Sequence, residues 1–189
     1  MRIGAIFAIG FALLLSLGAV DQAVSGRNLD PAEGVDHALY LIKSTTREEI
    51  DYGGKYAPGT IIVDTTERVL YYVLKNNRAI RYGVGVGREG YSWSGVSHVS
   101  RKAEWPGWTP PPEMRQRQPW LPRYVPGGQG NPLGARALYL GATLYRIHGT
   151  NEAQTIGRAV SSGCIRMLNK DVIDLYERVR VGAKVVVLQ

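Results

Sequence analysis

The chain has 189 residues, 44% of them hydrophobic and 21% charged, which suits one folded domain with a substantial core and excludes a disordered tail. The formal charge is +7, but the basic residues are scattered, with local groups only at Arg101-Lys102 and at Arg115, Arg117 and Arg123. There is no basic helical stripe and no RNA- or DNA-binding signature, so no nucleic-acid partner is expected and the charges read as solvated surface.

Met1-Arg2 precedes an uncharged run from Ile3 to Val20, rich in Leu, Ile, Ala and Phe. A basic start, an apolar stretch and then small residues are the layout of a secretory signal. Left uncleaved, the same run would serve as an N-terminal membrane anchor. Residues 1–26 are assigned to that segment, which predicts export to the periplasm or cell envelope. Residues 27–56 read as a spacer with one apolar patch at Ala38–Ile42, and residues 57–189 as the folded domain. Gly53-Gly54 and Pro58-Gly59 mark its entry.

From Thr60 onward the pattern is that of strands. Ile61–Val63, a turn at Asp64–Glu67 and Val69–Leu74 predict a hairpin. Asn76-Asn77 predicts a second turn, because Asn tolerates positive φ, and Arg78–Val86 returns as a third strand. Gly85-Val-Gly-Arg-Glu-Gly90 has the spacing of a dinucleotide-binding loop, but Tyr91-Ser-Trp-Ser-Gly comes next in place of a helix. Its glycines are therefore read as permitting a bend or a close backbone approach.

Eight of the ten prolines fall between Trp105 and Gly134, beside Trp105, Trp108 and Trp120, which argues against a helix or central strand there. A loop of this length predicts a lid or wall of a cleft, with Trp120 or Tyr124 facing the ligand. Ala137–Leu140 and Leu144–Ile147 read as strands that put His148 at a strand end. Val172, Leu175, Tyr176 and Val179 recur at helical spacing, with Asn169 as N-cap and Gly182 as the stop. Lys184–Leu188 closes the domain as a strand.

Cys164 is the only cysteine, so it cannot form an internal disulfide; its count alone leaves a reactive thiol and a small buried hydrophobe as the two readings. Ser161-Ser162-Gly163-Cys164 is a run of small residues that would expose the thiol and let the Gly163 and Cys164 amides converge as an oxyanion hole. His148 and Arg166 would both lower the thiol pKa, or Arg166 would bind a substrate carboxylate. The three histidines, His37, His98 and His148, lie far apart in sequence and form no ligand-spaced motif, so neither a metal nor another cofactor is expected.

Five segments, in order, then resemble one family, the L,D-transpeptidase (YkuD-type) catalytic domain. They are Pro58-Gly-Thr-Ile-Ile-Val-Asp, Arg81-Tyr-Gly-Val-Gly-Val-Gly, Asn131-Pro-Leu-Gly, Tyr145-Arg-Ile-His-Gly-Thr-Asn and Ser161-Ser-Gly-Cys-Ile-Arg-Met. The resemblance implies a mainly β fold, a β-sandwich of mixed sheets with one short C-terminal helix and the proline-rich loop over the cleft. It implies Cys164 as nucleophile and His148 as base, with the carbonyl of Gly149 holding the ring. Ser161, Ser162, Gly163 and Arg166 would bind substrate or oxyanion. Many relatives have His where this chain has Ser162, and Ser94-Gly95 replaces a Thr-Pro-x-Gly turn. His148 is thus the one base within the motif. The implied partner is a peptidoglycan tetrapeptide stem, whose acyl group would pass to an amine of a neighbouring stem or of an envelope lipoprotein. Hydrolysis of the same bond by a wall-directed cysteine peptidase is the alternative, and a non-catalytic wall-binding protein the third reading.

Overall fold

A computed structural model describes residues 45–189. The signal or anchor expected at residues 1–26 and the apolar patch at Ala38–Ile42 lie outside the described residues. Within them no helix is long and apolar enough to cross a membrane.

The predicted meander is present. Strands β2 (Ile61–Asp64), β3 (Val69–Val73) and β4 (Arg78–Gly83) pair antiparallel in sequence. Val and Ile suit these strands because branched side chains pack well on a pleated surface. Asn76 and Asn77 close the second turn with φ of 57° and 53°, the pair of positive values that a tight hairpin needs. Strand β1 (Glu48–Asp51) adds antiparallel to β4, so the sheet reaches into the stretch expected as spacer. Its ion pairs, Arg78 with Glu49 and Asp51 and Arg81 with Glu48, lie near the surface.

The ten-residue strand β6 (Gly95–Glu104) joins two halves of one curled sheet. Its first half pairs with β11 (Lys184–Leu188), which in turn runs parallel to β2. Its second half pairs with β7 (Arg136–Leu140), after a register shift between Val99 and Arg101. A shift of this kind bends a strand and re-aims its remaining residues. Strands β8 (Arg146–His148) and β10 (Ile165–Arg166) complete that side, while β5 (Val86–Gly87) and β9 (Ala159–Ser161) form a small parallel pair. The mainly β expectation holds, with the expected pair of sheets joined through β6 into one nine-stranded order.

Leu70, Tyr82, Leu138, Ile147, Ile165 and Leu175 are fully buried inside the curl. Helix α2 (Asn169–Arg178) covers it, and its first residue corrects the capping expectation. The capping position is Leu168, whereas Asn169 points its Oδ1 at the Ala135 amide, 2.9 Å away. At the other end Lys102 donates to the carbonyls of Tyr176 and Val179, and Gly182 makes the next turn at φ 90°. A second correction concerns the proline-rich loop, which contains a short helix, α1 (Pro112–Arg117). Pro112 is tolerated because it occupies the first helical position, where its missing N–H would have no partner.

Candidate active site

Strands β8 and β10 run parallel, with Ile147 opposite Ile165 and His148 opposite Arg166. Both isoleucines point into the core, at 0% and 1% exposure. Side chains alternate along a strand, so His148 and Arg166 face the other way, into a cleft. Arg146 and Cys164 lie one residue before the two isoleucines and share that face. All four line a single cavity of about 580 Å³. The Met167 amide donates to the His148 carbonyl at 2.8 Å and fixes the register beside the site.

His148 is buried, and its Nδ1 lies 2.5 Å from the Gly149 carbonyl oxygen. A carbonyl can only accept, so the proton sits on Nδ1 and the Nε2 lone pair is left for a substrate-side proton. Gly149 is itself confined. A methyl there would run into Asn169 Oδ1 and crowd the Ala135 amide, so the close packing behind the ring requires glycine.

The cysteine loop is held from several sides. The Ser161 hydroxyl donates to the Cys164 carbonyl at 2.5 Å and accepts the Gly163 amide at 3.1 Å. The Gly163 N–H, expected at the oxyanion, is thus engaged within the loop. The Cys164 N–H carries no hydrogen bond among the described residues. Ser162 Oγ accepts from Arg88, and Gly163 O accepts from Trp93 Nε1 at 2.9 Å. Trp93 stacks on Tyr145 with ring centroids 4.7 Å apart. Gly163 sits under that stack at φ 102°, where a Cβ would strike the Tyr145 ring. Gly85 and Gly87 allow the close approach predicted for them: Gly85 pairs with Arg166 in both directions, and a Cβ on Gly87 would meet Tyr91 O and the Gly163 backbone.

Electrostatics differ from the sequence expectation. Burial pushes the Cys164 thiol above its ordinary value, and the guanidinium groups of Arg146 and Arg166 pull against it without prevailing. Burial takes His148 down to about 3, opposed by its bond to Gly149 and aided by the two arginines. The resting pair is therefore a neutral thiol and a neutral imidazole. The thiol donates toward Leu144 O, with Sγ 3.8 Å from that oxygen. Arg166, expected to act on the thiol or on a substrate carboxylate, is paired with Glu152 at 2.7 Å.

The proline-rich loop supplies one wall through Trp108, Pro111, Glu113, Met114 and Arg117. Trp120 and Tyr124, expected to face the ligand, are 77% and 59% exposed and do not line the cavity. Reciprocal 2.8 Å bonds between the backbones of Trp108 and Val125 pin the base of the loop. Buried Asn131 secures it further. Its Nδ2 donates to Val125 O and Pro126 O, and its Oδ1 accepts from Leu133 N. Arg146, Tyr145, Trp93 and Asn131 had no assigned role in the sequence; the strand register and the ring stack reveal the first three, and the Asn-Pro-Leu-Gly turn was a signal for the last.

Residues 58–187 match the family model of the L,D-transpeptidase catalytic domain. The chain is 40% identical over 137 residues to the Escherichia coli protein described as a probable L,D-transpeptidase ErfK/SrfK, an alignment covering 68% of this chain and 43% of that protein. The chain thus spans less than half the length of that relative. A solved Brucella melitensis structure, described as a probable carnitine operon oxidoreductase, is 45% identical, covers 76% of this chain and 93% of its own, and superposes with a TM-score of 0.51. An L,D-transpeptidase from Stackebrandtia nassauensis shares the fold, with 21% identity, a TM-score of 0.54 and coverage of 85% and 71%.

Proposed function

The chain belongs to the L,D-transpeptidase family, and from that membership we propose that it transfers peptidoglycan stem peptides through a thioester on Cys164. The observation carrying this reading is the orientation of His148: Nδ1 is pinned to Gly149 O, and the ring shares its cavity with Cys164, the one cysteine of the chain.

In the first half-reaction the thiol proton passes to His148 Nε2 as Sγ attacks the carbonyl carbon of the donor's diamino acid residue. The Cys164 amide receives the oxyanion of the tetrahedral intermediate. The carbon–nitrogen bond then breaks, His148 returns the proton to the departing D-alanine amine, and a thioester remains. In the second half-reaction an acceptor amine loses its proton to His148 and attacks the thioester, and His148 returns the proton to the sulfur. The raised thiol pKa and lowered imidazole pKa favour a proton transfer coupled to attack over a stored ion pair. Ser161 positions the loop, and Ser162, which also lines the cavity, is held by Arg88.

An amine of a second stem is the proposed acceptor, with an envelope lipoprotein as the alternative amine. The N-terminal run from Ile3 to Val20 supports export to the periplasm or cell envelope, where both occur. Incubation of the full chain with tetrapeptide stems, followed by mass analysis of products, tests the reading. Cross-linked dimers with loss of D-alanine support it, tripeptides alone indicate hydrolysis, and unchanged stems contradict both.

A further inference from the structure

Three arginines line the cavity, Arg117, Arg146 and Arg166, and they differ in what answers their charge. Arg166 is paired with Glu152. Neither Arg117 nor Arg146 has a carboxylate partner among the described residues. Arg117 comes from the loop, on the short helix α1, and lies 5.8 Å from the Tyr91 ring. Arg146 comes from the rigid strand β8, two residues before His148. Continuing the register of β8 and β10 by one residue places it beside Cys164.

Arg146 Nε is buried without a hydrogen-bond partner among the described residues. Its guanidinium lies 5.2 Å from the Tyr139 ring, which also packs against Arg101 at 3.6 Å, so its neighbour at that ring is a like charge. Among the described residues such a cation has neither a counter-charge nor a full set of acceptors, an arrangement that rewards an anion entering the cleft. A carboxylate matches the planar fork of a guanidinium with two parallel N–H···O bonds.

We propose that Arg146 is a specificity residue of this cleft, receiving a free carboxylate that the acyl donor carries next to the bond attacked by Cys164. The inference rests on the transpeptidase reading for the identity of the donor. Two carboxylates of a stem peptide fit the description: the C-terminal one on the residue that leaves, and one on the side chain of the residue that becomes the acyl group. Their shared chemistry is what Arg146 recognises. The opposing pull of Arg146 on the thiol pKa agrees with its placement beside the sulfur.

Binding to the full-chain Cys164→Ala protein, which forms no thioester, tests this without turnover. Three tetrapeptides serve as probes: one with both carboxylates free, one with a C-terminal carboxamide and one with a side-chain carboxamide. The expected result is a loss of about tenfold or more in affinity for one of the two amides, the scale of a charge-assisted bond, and that amide identifies the carboxylate bound. Adding Arg146→Gln should weaken the free peptide to the level of that amide and abolish the difference. Arg146→Lys, which keeps the charge and loses the fork, should restore part of it and covers the case in which the glutamine variant fails to fold. Equal affinity for all three peptides, no binding of any of them, or a preference that survives both substitutions overturns the proposal. If the preference holds but wild-type protein releases no D-alanine, the transpeptidase reading fails while the carboxylate site stands.

Discussion

His148 Nδ1 lies 2.5 Å from the carbonyl oxygen of Gly149, the next residue of its own chain. The ring of the proposed base is thus oriented by backbone, and its setting depends on the packing that holds Gly149 against Asn169 and Ala135. Gly149→Ala should turn that carbonyl away, because the added methyl meets Asn169 Oδ1. The expected effect is a fall in kcat of about 10²-fold with a smaller change in KM, the scale of a displaced general base. Steady-state kinetics on a stem peptide measures it.

Burial of His148 also links stability to pH. Above pH 6.5 the ring is neutral in folded and unfolded chains alike, so this group contributes no pH dependence. Below 6.5 the unfolded chain takes up a proton that the folded chain refuses until about pH 3. Stability should therefore fall with falling pH, at about 1.4 kcal/mol per unit through this window. In His148→Asn the slope between pH 6 and pH 4 should flatten. Urea denaturation of both proteins across that range reads the difference.

Ser161 and Ser162 are neighbours of the same type with different consequences. Ser161 Oγ bonds both Gly163 N and Cys164 O inside the loop, whereas Ser162 Oγ meets only Arg88. Ser161→Ala should cost about 1–3 kcal/mol, because two backbone groups lose a partner, and should slow acylation with it. Ser162→Ala should cost less than about 1 kcal/mol. Denaturation midpoints and the rate of D-alanine release separate the two.

The cleft wall gives a second contrast. Asn131→Ala removes three side-chain bonds at the base of the loop and takes the Asn131 donor from the Pro126 carbonyl, while Val125 O keeps the Trp108 amide. It should destabilise by about 2 kcal/mol or more, raise KM, and speed limited proteolysis between residues 105 and 134. Trp120, exposed and off the cavity, should tolerate alanine with a stability change within about 0.5 kcal/mol and unchanged kinetics. An equal loss on both substitutions would contradict the wall as described.

Much of this architecture is legible in the sequence where a local rule applies. Asn76-Asn77 announces its turn because few residue pairs accept two positive φ values, and branched residues flank it as strands. Gly85 and Gly87 are readable as close-approach glycines because no helix comes after them. The features that escape local rules depend on distant packing. Arg146 becomes a wall of the cleft only through the parallel register of β8 with β10. The thiol pKa is set by burial, which no spacing reveals, so the expectation of a lowered value fails. Trp120 and Trp108 look alike in a proline-rich run, and only the Trp108–Val125 pairing decides which one turns inward.

The central claim is that Cys164 carries the acyl group. Mass analysis of the intact protein after brief exposure to a tetrapeptide stem, followed by peptide mapping, tests it most directly. The expected result is a mass gain equal to the tripeptide acyl group, located on the segment containing Cys164, removed by hydroxylamine and absent from Cys164→Ala. Product formation by Cys164→Ala at the wild-type rate, with no adduct on either protein, would contradict the account.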